Sequence, residues 1–282
     1  MHRRTALSIP LGLAASFALP AAWLQARSPA SRDRRAPRSL IDYWEGGGGN
    51  EPGALPGWVA TRPNLHLHQR PSGPAIAVAE ADLLRRRVDI AFAALMAQPS
   101  LRNVHGVSIE ADLNISLMTT DDGMRLVKPI LSLLAKTVHA GDPKTIVRDG
   151  RYMTPWEEGA VLRLHLNPYE FLARRGVEAE FIEGRTVRIG TGAAFGIIVS
   201  DTAHQGEWYP RDQAKLLQED KSWYRPGAPG SHMLLVHVSS YRQENDLLRQ
   251  GRLQPTRGAA RLAAAMFMTD WEDVQRRMVA LR

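Results

Sequence analysis

The sequence predicts an α+β fold, a mixed, largely antiparallel sheet packed with several helices. Three observations carry that expectation. Apolar and polar residues alternate with period two in short runs such as "NLHLHQ" (64–69) and "VSIEADLNISLM" (107–118), as half-buried strands require. Asp149-Gly150 and Glu183-Gly184 each lie between two strand-like runs, where a hairpin needs residues that tolerate positive φ. Helix-periodic stretches are mixed with these hairpins, a pattern that does not point to a doubly wound parallel sheet.

The chain begins "MHRRTALSIPLGLAASFALPAAWLQA", with a basic start, an apolar middle and a small residue at its end. This is the layout of a secretory signal peptide over residues 1–26, with cleavage after Ala26. Pro10, Gly12 and Pro20 interrupt the apolar stretch, which disfavours a retained membrane anchor. Arg3-Arg4 followed by Thr5-Ala6-Leu7 resembles a twin-arginine leader, without the aromatic or leucine usual two places after the second arginine. Export to the periplasm or beyond, by the Sec or the twin-arginine route, is expected. Residues 27–57 read as a disordered basic and glycine-rich tether, because "RSPASRDRRAPR" is rich in arginine, proline and serine and four consecutive glycines, 46–49, disfavour regular structure. The folded body is placed at 58–282, as one domain, with a division near 140–155 as the alternative.

Within that body, residues 64–69 form a strand and a helix follows over about 76–97. Leu84, Val88, Ala91, Phe92 and Leu95 share one face of that helix, away from Arg85, Arg86 and Asp89. Residues 107–118 form the next strand. Residues 122–139 read mainly as a helix that Pro129 kinks or starts. "TIVRDGRYM" (145–153) is a hairpin around Asp149-Gly150, and 161–166 is a strand. Asn167 then caps a helix with Pro168 in its first turn, Glu170 reaching back and Gly176 at its end. "AEFIEGRTVRIG" (179–190) is a second hairpin, and strands follow near 194–200 and 232–239. Two helices close the chain at 257–267 and 270–281, the last capped by Thr269 with Glu272 three places on.

Composition narrows the function classes. The chain has 282 residues, 44% hydrophobic and 23% charged, enough to bury one large core. Its net charge of +7 is concentrated at the start: residues 1–38 carry +6, leaving +1 for the rest. A nearly neutral body lacks the electrostatic footprint of a nucleic-acid binder. No cysteine is present, which excludes disulfides, thiol catalysis and cysteine-held zinc or iron–sulfur centres. Beyond the leader no apolar run is long enough to span a bilayer. There is no Gly-x-Ser-x-Gly elbow and no phosphate-binding loop, and the glycines near Gly190 and Gly192 do not match the dinucleotide fingerprint.

Three groups of residues are candidates for function. On the 107–118 strand, Ser108, Glu110, Asp112, Asn114 and Ser116 share one side, opposite Val107, Ile109, Ala111, Leu113 and Ile115. Glu110 and Asp112 project together, as a carboxylate pair for a hard cation or for acid–base work requires; a solvated strand face is the plain alternative. "SIEADLNISLMTTDDG" resembles the glutamate–x–aspartate strand of glycerophosphodiester phosphodiesterases. That family's upstream histidine-arginine motif reads His68-Gln69-Arg70 here, and no histidine follows Asp112 until His139, so the chain is not assigned to that family. His66 and His68, two apart on a strand, are candidate metal ligands with Glu110 and Asp112. His165, flanked on its side by Arg163 and Asn167, is a third catalytic candidate beside the two carboxylates. His232 and His237 are an odd number of residues apart and face opposite sides, so they form no chelating pair. Two aromatic pairs, Trp208-Tyr209 and Trp223-Tyr224, flank a short charged helix and are candidate binding residues for a glycan or a protein.

Two readings follow. The first is an exported, non-enzymatic module that binds an envelope protein or a glycan and uses no cofactor. The second is a phosphodiesterase-like hydrolase that holds a divalent metal in the carboxylate and histidine cluster. They diverge on one structural point: whether strands 64–69, 107–117 and 161–167 bring their polar faces together in a pocket.

Overall fold

The structure, a computed structural model, describes residues 35–69, 75–119, 123, 125–155, 159–167, 179–182, 186–189, 194–200, 231 and 233–281. Helix α1 (Arg35–Glu45) precedes strand β1 (Asn64–His68) and helix α2 (Val78–Met96). A 3₁₀ turn, Pro99–Leu101, leads to the long strands β2 (Val107–Thr119) and β3 (Arg125–Thr137). The small hairpin β4 (Ile146–Arg148) and β5 (Arg151–Met153) comes before β6 (Gly159–Leu166). Strands β7 (Ala179–Ile182), β8 (Thr186–Ile189), β9 (Phe195–Ser200) and β10 (Met233–Ser239) follow. The chain closes with α3 (Arg242–Arg249), α4 (Gly258–Met268) and α5 (Trp271–Ala280).

Among the described residues, eight strands form one sheet in the order β1-β2-β3-β6-β10-β9-β8-β7. Of these strand pairings only β1–β2 is parallel, and α2 lies in that crossover, as a parallel connection requires. The remaining pairings are antiparallel, so the α+β class expected from the hairpins is the one observed. After β6 the chain reaches the far edge at β7 and walks back through β8 and β9, so that β10 pairs with β6.

Period-two alternation explains why these segments are strands. Ile109, Ala111, Leu113 and Ile115 of β2 join Leu131, Leu133 and Ala135 of β3 in the core. Leu162, Leu164 and Leu166 of β6 and Leu234, Val236 and Val238 of β10 continue the same face. Helix α4 lies across β3, β6 and β10, and its small residues, Ala259, Ala260 and Ala263 to Ala265, let it approach closely. Helices α2 and α5 pack on one another, α2 also meeting β2 and β3 while α5 reaches β9.

Residues 122–139, expected mainly as a helix, contain strand β3 instead. The leucines of "RLVKPILSLLAK" fit both periods, and pairing with β2 along all thirteen residues decides for the strand. Pro129 is tolerated there because the β6 pairing begins only at Ile130, so no ladder bond on that side is lost.

Residues 35–57, expected as part of a tether, are folded from Arg35 onward. Leu40 and Trp44 of α1 are buried in the core, and α1 packs on α4. The glycine run ends the helix: Gly48 N donates to Tyr43 O, Gly47 N donates to Trp44 O, and Gly47 has φ of 80°. This is the paired-bond cap that helices make with a left-handed residue, so the glycines serve as a stop signal. Gly57 has a different role. A Cβ there would lie 1.6 Å from Val107 O, because the backbone runs directly against β2.

The remaining elements agree with the alternation patterns apart from two caps. Asp149 (φ 52°) and Gly150 (φ 71°) make the β4–β5 turn in the left-handed region. The last helix is capped by Asp270, which accepts from Asp273 N, while the expected cap Thr269 donates its hydroxyl to Ala265 O. Asn167 (φ 45°) ends β6, and its Oδ1 accepts from Met233 N, so its side chain serves the β6–β10 pair; the helix expected after it lies outside the described residues.

A chain shortened to begin at residue 35 is expected to melt in one cooperative transition, whereas one beginning at residue 58 loses that transition. Trp44→Ala should lower stability by about 3–5 kcal/mol, read from the urea midpoint.

Candidate functional site

The second face of the sheet carries the polar residues. Asn64, His66 and His68 of β1 stand beside Asp112, Asn114 and Ser116 of β2 in register. The row through Asp112 continues to Ser132 on β3, Arg163 on β6 and His237 on β10. The next row runs His66, Asn114, Ile130, His165, Leu235. The five candidates His66, His68, Glu110, Asp112 and His165 therefore share one face, although β3 lies between β2 and β6.

This face changes character across the sheet. All of β1 is exposed, Glu110, Asp112 and Asn114 are half-buried, and Met233, Leu235 and His237 on β10 are buried. It is wet at one end and dry at the other.

At the wet end the polar groups are tied to one another. Asn64 Nδ2 donates to Asp112 Oδ1 at 3.2 Å, and His66 Nε2 meets the same oxygen at 3.3 Å. An ionised carboxylate only accepts, so in this pair the imidazole Nε2 carries the hydrogen. His68 Nε2 meets Asn114 Oδ1 at 2.8 Å. Glu110 turns the other way and pairs with Lys136 Nζ at 2.9 Å, while Lys136 also donates to Pro155 O. The two carboxylates are neighbours in sequence but serve different partners. The two imidazoles likewise face different acceptors. Among the described residues no group of three or more His, Asp or Glu is placed to hold a metal ion.

At the dry end is a contact that sequence reasoning missed. His232, the nearest histidine to His237 in the sequence, lies outside the described residues; the neighbour of His237 is His165, diagonally across the β6–β10 pair. Their Nε2 atoms are 3.2 Å apart, with the rings 17° from parallel and their centres 5.3 Å apart. The nitrogens are closer than the centres by nearly as much as two imidazoles allow, so the rings meet edge to edge. One Nε2 donates and the other accepts, which requires opposite tautomers. Knowing that 161–166 and 233–239 pair antiparallel would have revealed it.

Burial pushes both histidines toward the neutral form. It lowers His165 to about 3, helped by His237, Arg163 and Lys128, and lowers His237 to about 4, helped by Arg163. Both folded values lie below the ordinary 6.5. The unfolded chain therefore takes up protons first as pH falls below that value, and stability is lost between there and the folded values.

A cavity of about 410 Å³ lies beneath β1 on its other side, lined by Arg62, Asn64, Leu65, Arg85, Asp89 and Leu113. It touches the candidate face only at Asn64. Trp208, Tyr209, Trp223 and Tyr224 lie outside the described residues. Comparisons with protein-family models, with curated proteins and with solved structures give no match to the chain.

Urea unfolding should show stability falling by roughly 2 kcal/mol per histidine, on the order of 4 kcal/mol for the pair, between pH 7 and pH 5. The double variant His165→Gln/His237→Gln should flatten that dependence, whatever its effect at pH 7.

Proposed function

We propose that this chain is an exported, non-enzymatic binding module of the cell envelope, and that the wet end of its second sheet face takes a glycan. The observation that carries the reading is the pairing of Asn64 and His66 with Asp112, and of His68 with Asn114, across an exposed strand. Paired side chains are preorganised donors and acceptors: Asp112 takes both of its bonds on Oδ1, and the second carboxylate oxygen and the second ring nitrogens of the imidazoles give the set capacity to meet a hydroxyl-rich ligand.

The chemistry of the face favours a hydroxyl-rich ligand over a flat protein surface. Protein interfaces centre on apolar or aromatic anchors. The exposed part of this face offers Asn64, His66, His68 and Arg163, with half-buried Asp112, Asn114, Ser116 and Ser132 between them. Amides, imidazoles, a carboxylate and a guanidinium side by side match the alternating donors and acceptors of a sugar chain. The leader-like residues 1–26 support export, and the nearly neutral charge of residues 39–282 is consistent with an uncharged or mixed-charge ligand.

Cosedimentation with insoluble cell-wall glycan tests this. The protein is expected to pellet with the glycan, and Asn114→Ala or Arg163→Ala should weaken retention roughly tenfold each, about 1.4 kcal/mol. Retention unaffected by both changes would defeat the proposal. So would turnover of a phosphodiester with added manganese or zinc that disappears in Asp112→Ala, since that result belongs to the metal-dependent hydrolase.

A further inference from the structure

We infer that β1 is a self-recognition edge, pairing antiparallel with β1 of a second copy of this chain. β1 is the outermost strand of the sheet, and each of its five residues is exposed. Its inner edge is bonded to β2, and no strand lies against its outer edge among the described residues. An open edge presents a row of backbone donors and acceptors, and proteins commonly blunt it with lysine, proline or a bulge. Asn64–His68 contains neither lysine nor proline, and its register with β2 runs without a break.

The neighbouring segment shows the contrast. Residues 56–59 also run beside the start of β2, with bridges to His105 and Ile109. There β5 covers them: Tyr152 N donates to Pro56 O at 2.8 Å, and Trp58 N donates to Tyr152 O at 2.9 Å. One half of this edge is covered and the other is left open.

The sequence of the open half names its occupant. Asn-Leu-His-Leu-His places its two leucines symmetrically about His66. A two-fold axis through His66, perpendicular to the sheet, sets Leu65 against Leu67 of the second copy and Leu67 against Leu65. It sets Asn64 against His68, and His66 against its own equivalent. Every apolar residue meets an apolar one, and every polar residue meets a polar one on the same face. A slip of one residue would place leucine against histidine on both faces. Leu65 and Leu67 are 42% and 47% exposed, unusual for leucines on the side of the sheet that elsewhere forms the core, and this pairing would cover them. β1 carries no lysine, arginine or carboxylate to repel its own copy. The two-fold closes on itself, so the product is a dimer with one continuous sixteen-stranded sheet and two adjoining wet faces.

A five-residue strand pair is a small interface, so the dimer is weak and depends on concentration. Sedimentation velocity from about 1 μM to about 500 μM should show the mass rising from that of one copy, 31.3 kDa for the full chain, toward twice that value. Leu67→Lys should stay single over the same range. Because the chain has no cysteine, single-cysteine variants report directly: His66→Cys should form a covalent dimer under mild oxidation, and Asn114→Cys, one strand further in, should not. Amide exchange at Leu65 and Leu67 should slow as concentration rises. A constant mass, a Leu67→Lys protein that still dimerises, or protection at these amides that is independent of concentration would each overturn the inference. The last result would place a segment of the same chain on the edge.

Discussion

The buried guanidinium of Arg261 is the contact on which the arrangement of this protein depends. Its side chain is fully buried, and its hydrogen bonds go to neutral oxygens: Thr256 O, Ser100 O, His105 O and the Asn50 side chain. Ser100 returns a hydroxyl bond to Arg261 O, and the guanidinium stands 4.8 Å from the Trp44 ring. Burial lowers its pKa to about 10, which still leaves it charged at neutral pH. A buried cation is costly unless its donors are satisfied, and here a ring of carbonyls and an aromatic face satisfies them. Those partners come from α1, the glycine-rich loop, the 3₁₀ turn, the approach to β2 and the turn before α4. One side chain therefore fixes where five separate stretches meet, and it sets the start of β2.

From that fixed start the properties of the candidate face follow. β2 keeps thirteen residues in register with β3, so the side on which Ser108 stands determines the side for Glu110, Asp112 and Asn114. The helices occupy the opposite side, which leaves the polar residues outward at β1 and β2. The same register carries the row inward to β6 and β10, where half-buried His165 meets buried His237. A single continuous face thus holds a hydrated array at one end and a neutral imidazole pair at the other. The difference between them is burial rather than residue type.

Much of this was legible in the sequence because period two is a strong signal wherever one face is buried. The β2 alternation, the Asp149-Gly150 turn and the strand over 161–166 needed no tertiary information. What escaped did so for identifiable reasons. β3 contains leucines that satisfy a helical and an extended period equally, and only a partner strand chooses between them. The segment 35–57 looks like a linker because glycine and proline dominate it, yet its glycines cap a helix whose Leu40 and Trp44 reach a core built by residues two hundred places away. The meeting of His165 and His237 is invisible in either strand alone, since it is a property of their pairing. Local pattern gives faces; it does not give neighbours.

β1 shows how an unburied strand can still be held. Strands usually gain most from the apolar face they bury, and β1 buries neither Leu65 nor Leu67. Its backbone ladder to β2 is one-sided and parallel, the less stable geometry per residue. What compensates is on the polar side, where three of its five residues hydrogen-bond to β2 side chains and Asp112 alone receives two of them. Such bonds contribute about 1 kcal/mol apiece, and somewhat more where a charged acceptor is involved. Asp112 is in this sense the pin of the edge strand. A carboxylate with that duty fixes the shape of the polar face at the sheet's edge by holding Asn64 and His66 in one arrangement.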